Sequence, residues 1–134
     1  MLFPGCGLSP DAAQGWHWTL RKEPMTGEIV FAMYRPYAAT SRKAMLELIQ
    51  QHNTTLRVEE LITDRPAILA EAEDGTFIEI FEWKPGAAQK AHDHKAVQKL
   101  WKRMEELGEF SALISLAESE KPFPHFKPVD GVVT

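Results

Sequence analysis

The sequence predicts an α+β domain: a four-stranded antiparallel sheet carrying two helices. Three observations predict it. Asp74–Trp83 reads D-G-T-F-I-E-I-F-E-W, a turn pair followed by β-branched and aromatic residues, which is the turn and second strand of a hairpin. Around it, the apolar spacing runs in the order strand–helix–strand–strand–helix–strand. Both faces of the Thr76–Trp83 strand are apolar, so both require cover.

Residues 1–27 carry Gly5, Gly7, Pro10, Gly15, Pro24 and Gly27. Gly and Pro at that density predict an irregular N-terminal arm, with one short strand at Gly15–Arg21 and the side chains of Trp16 and Trp18 docked on the domain or a partner. Ile29–Tyr34 is the first clear strand, and Pro36 ends it because Pro donates nothing to a ladder. Thr40 or Ser41 caps a helix running to about His52. Met45, Leu48, Ile49 and His52 share one face of it, and Asn53-Thr54-Thr55 closes it. Leu56–Thr63 reads either as an extension of that helix or as a short strand. Ala67–Glu73 then pairs through Asp74-Gly75 with Thr76–Trp83.

Pro85-Gly86 opens a helical region that reaches about Leu107. Val97, Leu100, Trp101, Met104 and Leu107 share a face that projects back to Asp93, a poor core residue and a good N-cap. Two segments follow from that: a turn at Ala87–His92, then a helix capped by Asp93, with Gly108 as its C′ residue. Phe110–Leu116 alternates as the last strand. The tail Lys121–Pro128 holds three prolines with Phe123, His125 and Phe126, and is predicted to lie draped over a surface.

The element order is that of the split βαβ, ferredoxin-like arrangement. Side chains alternate across a strand, so Ile78 and Ile80 share one face of the hairpin strand. Phe77, Glu79, Phe81 and Trp83 share the other. Two helices cover one face. The aromatic face is predicted to be the other one, packed against the sheet of a second copy in a homodimer. Glu79 is then a carboxylate on an aromatic face and needs a partner. The choices are a salt bridge across the dimer to Arg35 or Arg57, or service as a desolvated base.

Composition narrows the function classes. The 134 residues are one domain's length, with 44% hydrophobic and 25% charged residues, as in a soluble globule. A net charge of −4 gives no electrostatic footprint for nucleic acid or an anionic membrane. A single cysteine, Cys6, excludes an internal disulfide and a thiolate metal site. No apolar run reaches the ~20 residues of a membrane span, and no basic-then-apolar signal opens the chain. A cytoplasmic location fits.

R-P-Y at Arg35–Tyr37, the helix ending in His52, Asp74–Trp83, A-H at Ala91-His92 and V-x-x-L-W at Val97–Trp101 occur in that order. Together they resemble the dimeric α/β-barrel superfamily, in particular its antibiotic biosynthesis monooxygenase-like branch. The resemblance covers residues 28–117 and leaves the arm (1–27) and the proline-rich tail (118–134) outside it. It implies a homodimer and a pocket between sheet and helices. It implies as well a cofactor-independent oxygenase, or related small-molecule enzyme, acting on an aromatic or quinol-like substrate. The pocket positions that match are Trp83 and His92. A haem-degrading branch shares the architecture, with a Trp and a His matched in part.

The candidate residues carry competing readings. His92-Asp93-His94 is either a helix junction with two surface histidines, or it supplies His92 as general acid–base near the pocket. Alternate residues of a helix diverge by about 200°, so His92 and His94 chelate one metal only across a kink; no metal site is assigned. His52 either bonds the last carbonyls of its helix or faces the pocket as a ligand contact. Phe81, Trp83 and Trp101 either pack the core or stack a planar substrate. The Tyr34 hydroxyl shares a face with Val30 and Ala32 and reaches toward the pocket. His92, Trp83 and Tyr34 are therefore the catalytic candidates, and His52, Phe81, Trp101 and His94 the ligand-binding ones. The cofactor-free enzyme is set against two alternatives: a dimeric protein binding haem or another hydrophobic ligand, with His92 or His52 as axial ligand, and a non-catalytic structural dimer.

Overall fold

A computed structural model describes residues 27–129. The expected strand at Gly15–Arg21, the docking of Trp16 and Trp18, and Cys6 lie outside them. Five strands, β1 (Glu28–Pro36), β2 (Ile68–Glu71), β3 (Phe77–Trp83), β4 (Gly108–Ser111) and β5 (Lys127–Pro128), form one antiparallel sheet in the order β4-β1-β3-β2-β5. Three helices, α1 (Arg42–Val58), α2 (Ala87–His92) and α3 (Lys95–Leu107), complete the α+β fold. The strand count exceeds the expected four because the tail adds β5 to the edge of β2.

The hairpin forms as its sequence requires. Gly75 takes φ 93°, which is open to glycine at no steric cost. Asp74 Oδ1 accepts from the Thr76 amide at 2.9 Å, and the Ala72 amide donates to the Thr76 carbonyl at 2.8 Å. Burial would push the Asp74 carboxyl up, but the Thr76 hydroxyl and amide and the Arg35 guanidinium outweigh it and hold the group below its ordinary value. Arg42 ties α1 to this turn: Nη1 donates to the Gly75 carbonyl at 2.7 Å and Nη2 to Glu71 Oε2 at 2.6 Å.

The first helix runs past the expected stop at Asn53-Thr54-Thr55. Asn53 and Leu56 are buried, so the apolar face continues for another turn. The end is a Schellman closure: the Leu61 amide donates to the Leu56 carbonyl and the Glu60 amide to the Arg57 carbonyl. Glu60 occupies the left-handed position at φ 60° where a glycine is usual, and for that reason the sequence carries no visible stop signal.

The helical region from Ala87 to Leu107 divides in two, as expected, but His94 rather than Asp93 is the residue before α3. Gly108 also departs from expectation. It is extended at φ −171°, so it is not a left-handed cap. A Cβ on it would lie 2.3 Å from the Arg35 carbonyl oxygen and 2.8 Å from Met45 Cε. Close approach of β4 to β1 demands the glycine. The last strand stops at Ser111 instead of Leu116; short 3₁₀ turns at Leu113–Ser115 and Ala117–Glu120 follow.

The two sheet faces are exchanged relative to expectation. Phe77, Leu69 and Tyr34 pack with Met45, Leu48, Ile49 and Met104 of the helices. Phe81 packs with Leu56, Ala91 and Val97, with Trp83 and Trp101 alongside. The aromatic face is therefore the helix-covered one, because two helices standing off a sheet leave gaps that large rings fill. The opposite face divides in two. Leu116, between the two 3₁₀ turns, and Phe126 of the tail cover Met33, Ala70, Ala72 and Ile78. Beyond them Phe31, Ile80 and Ile68 pair in one row across three strands, with Phe31 49% and Ile68 58% exposed.

Candidate functional site

Four side chains from four elements meet under the helices. Tyr34 comes from β1, Glu79 from β3, His52 from α1 and Trp101 from α3. Alternation puts Tyr34 and Glu79 on the helix-facing side of their strands, and helical spacing puts His52 on the Met45–Leu48–Ile49 face that meets them. Tyr34 Oη donates to Glu79 Oε1 at 2.8 Å. His52 Nδ1 lies 3.0 Å from the same oxygen. Trp101 Nε1 donates to His52 Nε2 at 3.0 Å. An indole N–H only donates, so Nε2 is the acceptor and the imidazole proton sits on Nδ1, directed at the carboxylate.

The cluster is dry. His52 and Glu79 are each 2% exposed and Tyr34 is 4% exposed. Burial, and after it the charge and hydrogen bond of Glu79, push the Tyr34 phenol well above its ordinary value. Phe81 lies edge-on to His52, with ring centroids 6.0 Å apart. Trp101 is partly buried, and the exposed His92 ring packs edge-on against it at 5.1 Å. The contacts run from the exposed His92 through Trp101, His52 and Glu79 to Tyr34.

Of the residues expected at a site, the structure brings together Tyr34, His52, Phe81 and Trp101, with His92 on the outer side of Trp101. It sets two apart. Trp83 touches Phe81, ring centroids 5.0 Å apart, and otherwise lines a surface cavity of about 320 Å³ with Glu28, Lys84 and Pro85. His94 Nε2 lies 3.0 Å from Glu59 Oε1 and thereby links α3 to the end of α1. His92 and His94 do not converge, and no group of three potential metal ligands exists among the described residues.

Glu79 is the member that the candidate set omitted. Its signal was present as the single carboxylate in an aromatic stripe. Its expected partners were Arg35 or Arg57, and both are corrected: Arg35 pairs with Asp74 at 3.1 Å and, more loosely, with Glu109, and Arg57 Nη1 donates to the Thr63 carbonyl. Glu79 pairs within its own chain, with His52 and Tyr34.

Chemically, the arrangement is an imidazole oriented by a carboxylate, with its second nitrogen capped by a removable donor. Displacing the indole would present an Nε2 lone pair backed by Glu79, the wiring of a general base. Both ring nitrogens are engaged in the present geometry. No helix among the described residues is long and apolar enough to cross a membrane. No family model matches the chain, and neither does any curated protein or solved structure.

Proposed function

We propose that the chain is a small-molecule enzyme of the dimeric α/β-barrel kind, a cofactor-independent oxygenase whose base is the His52–Glu79 dyad. The order β4-β1-β3-β2, with all three helices on one side, supports the ferredoxin-like reading, and β5 is an added edge. The exposed row Phe31–Ile80–Ile68, with Ile29, supports a homodimer through the open sheet face. Cytoplasmic residence belongs to the same reading. The base assignment moves from His92 to His52, and the observation that carries it is the carboxylate on Nδ1 opposite a lone pair that accepts the Trp101 indole N–H. His92 then lines the approach, and Tyr34 holds the Glu79 oxygen in place.

In this scheme the substrate is a phenol-activated aromatic with an acidic methylene. His52 Nε2 takes one methylene proton, and Glu79 stabilises the imidazolium. The carbanion adds dioxygen to form a C–O bond and a peroxide anion. The imidazolium returns its proton to that peroxide, and loss of water leaves a carbonyl. One methylene and one dioxygen become one carbonyl and one water.

Oxygen uptake with an anthrone tests the reading. Uptake is expected in the unaltered protein, lost in His52→Ala and in Glu79→Gln while circular dichroism stays native, and retained in His92→Ala. No uptake, together with a Soret band on haem titration that shifts in His92→Ala, would instead favour the haem-binding alternative. Neither signal would leave the four residues as a structural lock and the chain as a structural dimer.

A further inference from the structure

Next to the dyad along α1, a second set of buried polar groups is left incomplete. Asn53 is 1% exposed, and its Nδ2 has no hydrogen-bond acceptor. Arg57, one turn further along α1, spends Nη1 on the Thr63 carbonyl at 3.0 Å. Its Nε and Nη2 are buried and have no acceptor either. Among the described residues no carboxylate forms an ion pair with Arg57; the nearest candidate by connection, Glu82, accepts from Thr63 and Arg65 instead.

Buried donors are nearly always paired, and those that are not call for a partner. The orphaned atoms here are not random. Nε–H and Nη2–H form the side edge of the guanidinium, the fork that takes both oxygens of a carboxylate in parallel. Residues four apart on a helix are neighbours on its surface, so Asn53 and Arg57 carry their unpaired donors on adjoining turns of α1. Three unpaired donors and one fixed positive charge describe a receptor for an oxyanion. The Thr63 bond holds the guanidinium in place, so little ordering is needed on binding.

We propose that Arg57 and Asn53 form a binding site for the carboxylate of a small ligand, held bidentate by Nε and Nη2 of Arg57 with the Asn53 amide as third donor. The proposal is independent of the His52 chemistry. The competing sources of an acceptor are a water molecule and a carboxylate of the chain itself.

The test uses the full chain, labelled with ¹⁵N-arginine, and follows the Nε–Hε signal of Arg57, assigned by its absence in Arg57→Lys. Sodium acetate is the probe, with sodium chloride at equal ionic strength as control. A saturable downfield shift with acetate and none with chloride is expected. In Arg57→Lys, which keeps the charge and loses the fork, acetate should no longer protect the fold against heat. Asn53→Asp supplies a carboxylate from the preceding turn. It should fold with a melting temperature at or above that of the unaltered protein, hold the Hε signal permanently downfield and ignore acetate. A linear, non-saturating response means that water fills the site and overturns the proposal. So does an Hε already downfield that acetate does not move in the unaltered protein, since the chain then fills the site itself. Loss of folding in Asn53→Asp also overturns it, because a carboxylate beside a waiting fork cannot be an unpaired buried charge.

Discussion

Tyr34 donates its phenolic proton to the same Glu79 oxygen that faces His52 Nδ1. One carboxylate oxygen thus joins a central strand, its neighbour and the first helix. Because the phenol is held well above its ordinary value by burial and then by Glu79, the folded state keeps a proton that the unfolded chain releases near pH ~10. The associated stability is complete below that pH and is lost as pH rises toward the folded value. Urea titrations between neutral pH and pH ~11 should show the fall, and Tyr34→Phe should flatten it. At neutral pH the same substitution should lower stability by about 1.5–3 kcal/mol, the worth of a hydrogen bond to a charged group.

Glu60 sits at φ 60° in the closure of α1. A side chain there is strained by roughly 1–2 kcal/mol, which glycine escapes, although glycine gives back part of that in unfolded-state entropy. Glu60→Gly should therefore raise stability, by about 0.5–1 kcal/mol in chemical denaturation. A loss of stability would mean that the Glu60 side chain holds a contact worth more than the strain.

Gly108 approaches the Arg35 carbonyl so closely that a Cβ would lie 2.3 Å from it. Backbone cannot yield as a flexible side chain does. Gly108→Ala should lower stability by about 3 kcal/mol or more, beyond ordinary overpacking, and hydrogen exchange should accelerate first in β4 and at the Tyr37 amide, which donates to the Leu107 carbonyl.

Phe31 stands at the exposed end of the row Phe31–Ile80–Ile68. If two copies meet there, Phe31→Lys places like charges across the interface and should convert a dimer to a monomer in sedimentation velocity. At a site 49% exposed the substitution should shift monomer stability by no more than about 1 kcal/mol. An unaltered protein that sediments as a monomer would remove the dimer from the proposal.

Much of this architecture was legible in the residues. The hairpin announces itself through Asp74-Gly75, and the break between α2 and α3 through the face that runs back to Asp93. Features without a local signal were missed. The end of α1 relies on a glutamate in a glycine's position. The tail strand β5 is read only through its partner β2, because Lys127–Pro128 has no strand pattern of its own. The choice of covered face turned on three-dimensional need. Counting apolar residues ranks the aromatic and isoleucine faces alike, whereas Glu79 can be buried only where His52 and Tyr34 reach it. A lone carboxylate and a histidine continuing a helix face were both visible; that they belong to each other required the fold.

The tail has a consequence for biogenesis. Leu116 and Phe126 shield Met33, Ala70, Ala72 and Ile78, and β5 pairs with the outer edge of β2. During synthesis from the N-terminus, β1, α1, the hairpin and both later helices leave the ribosome before these last residues do. For that interval the nascent chain presents the Met33–Ala70–Ala72–Ile78 surface uncovered and an unpaired β2 edge beside it, the features that recruit a chaperone or another nascent copy. Leu116, Phe126 and β5 end the exposure of that surface and of the β2 edge.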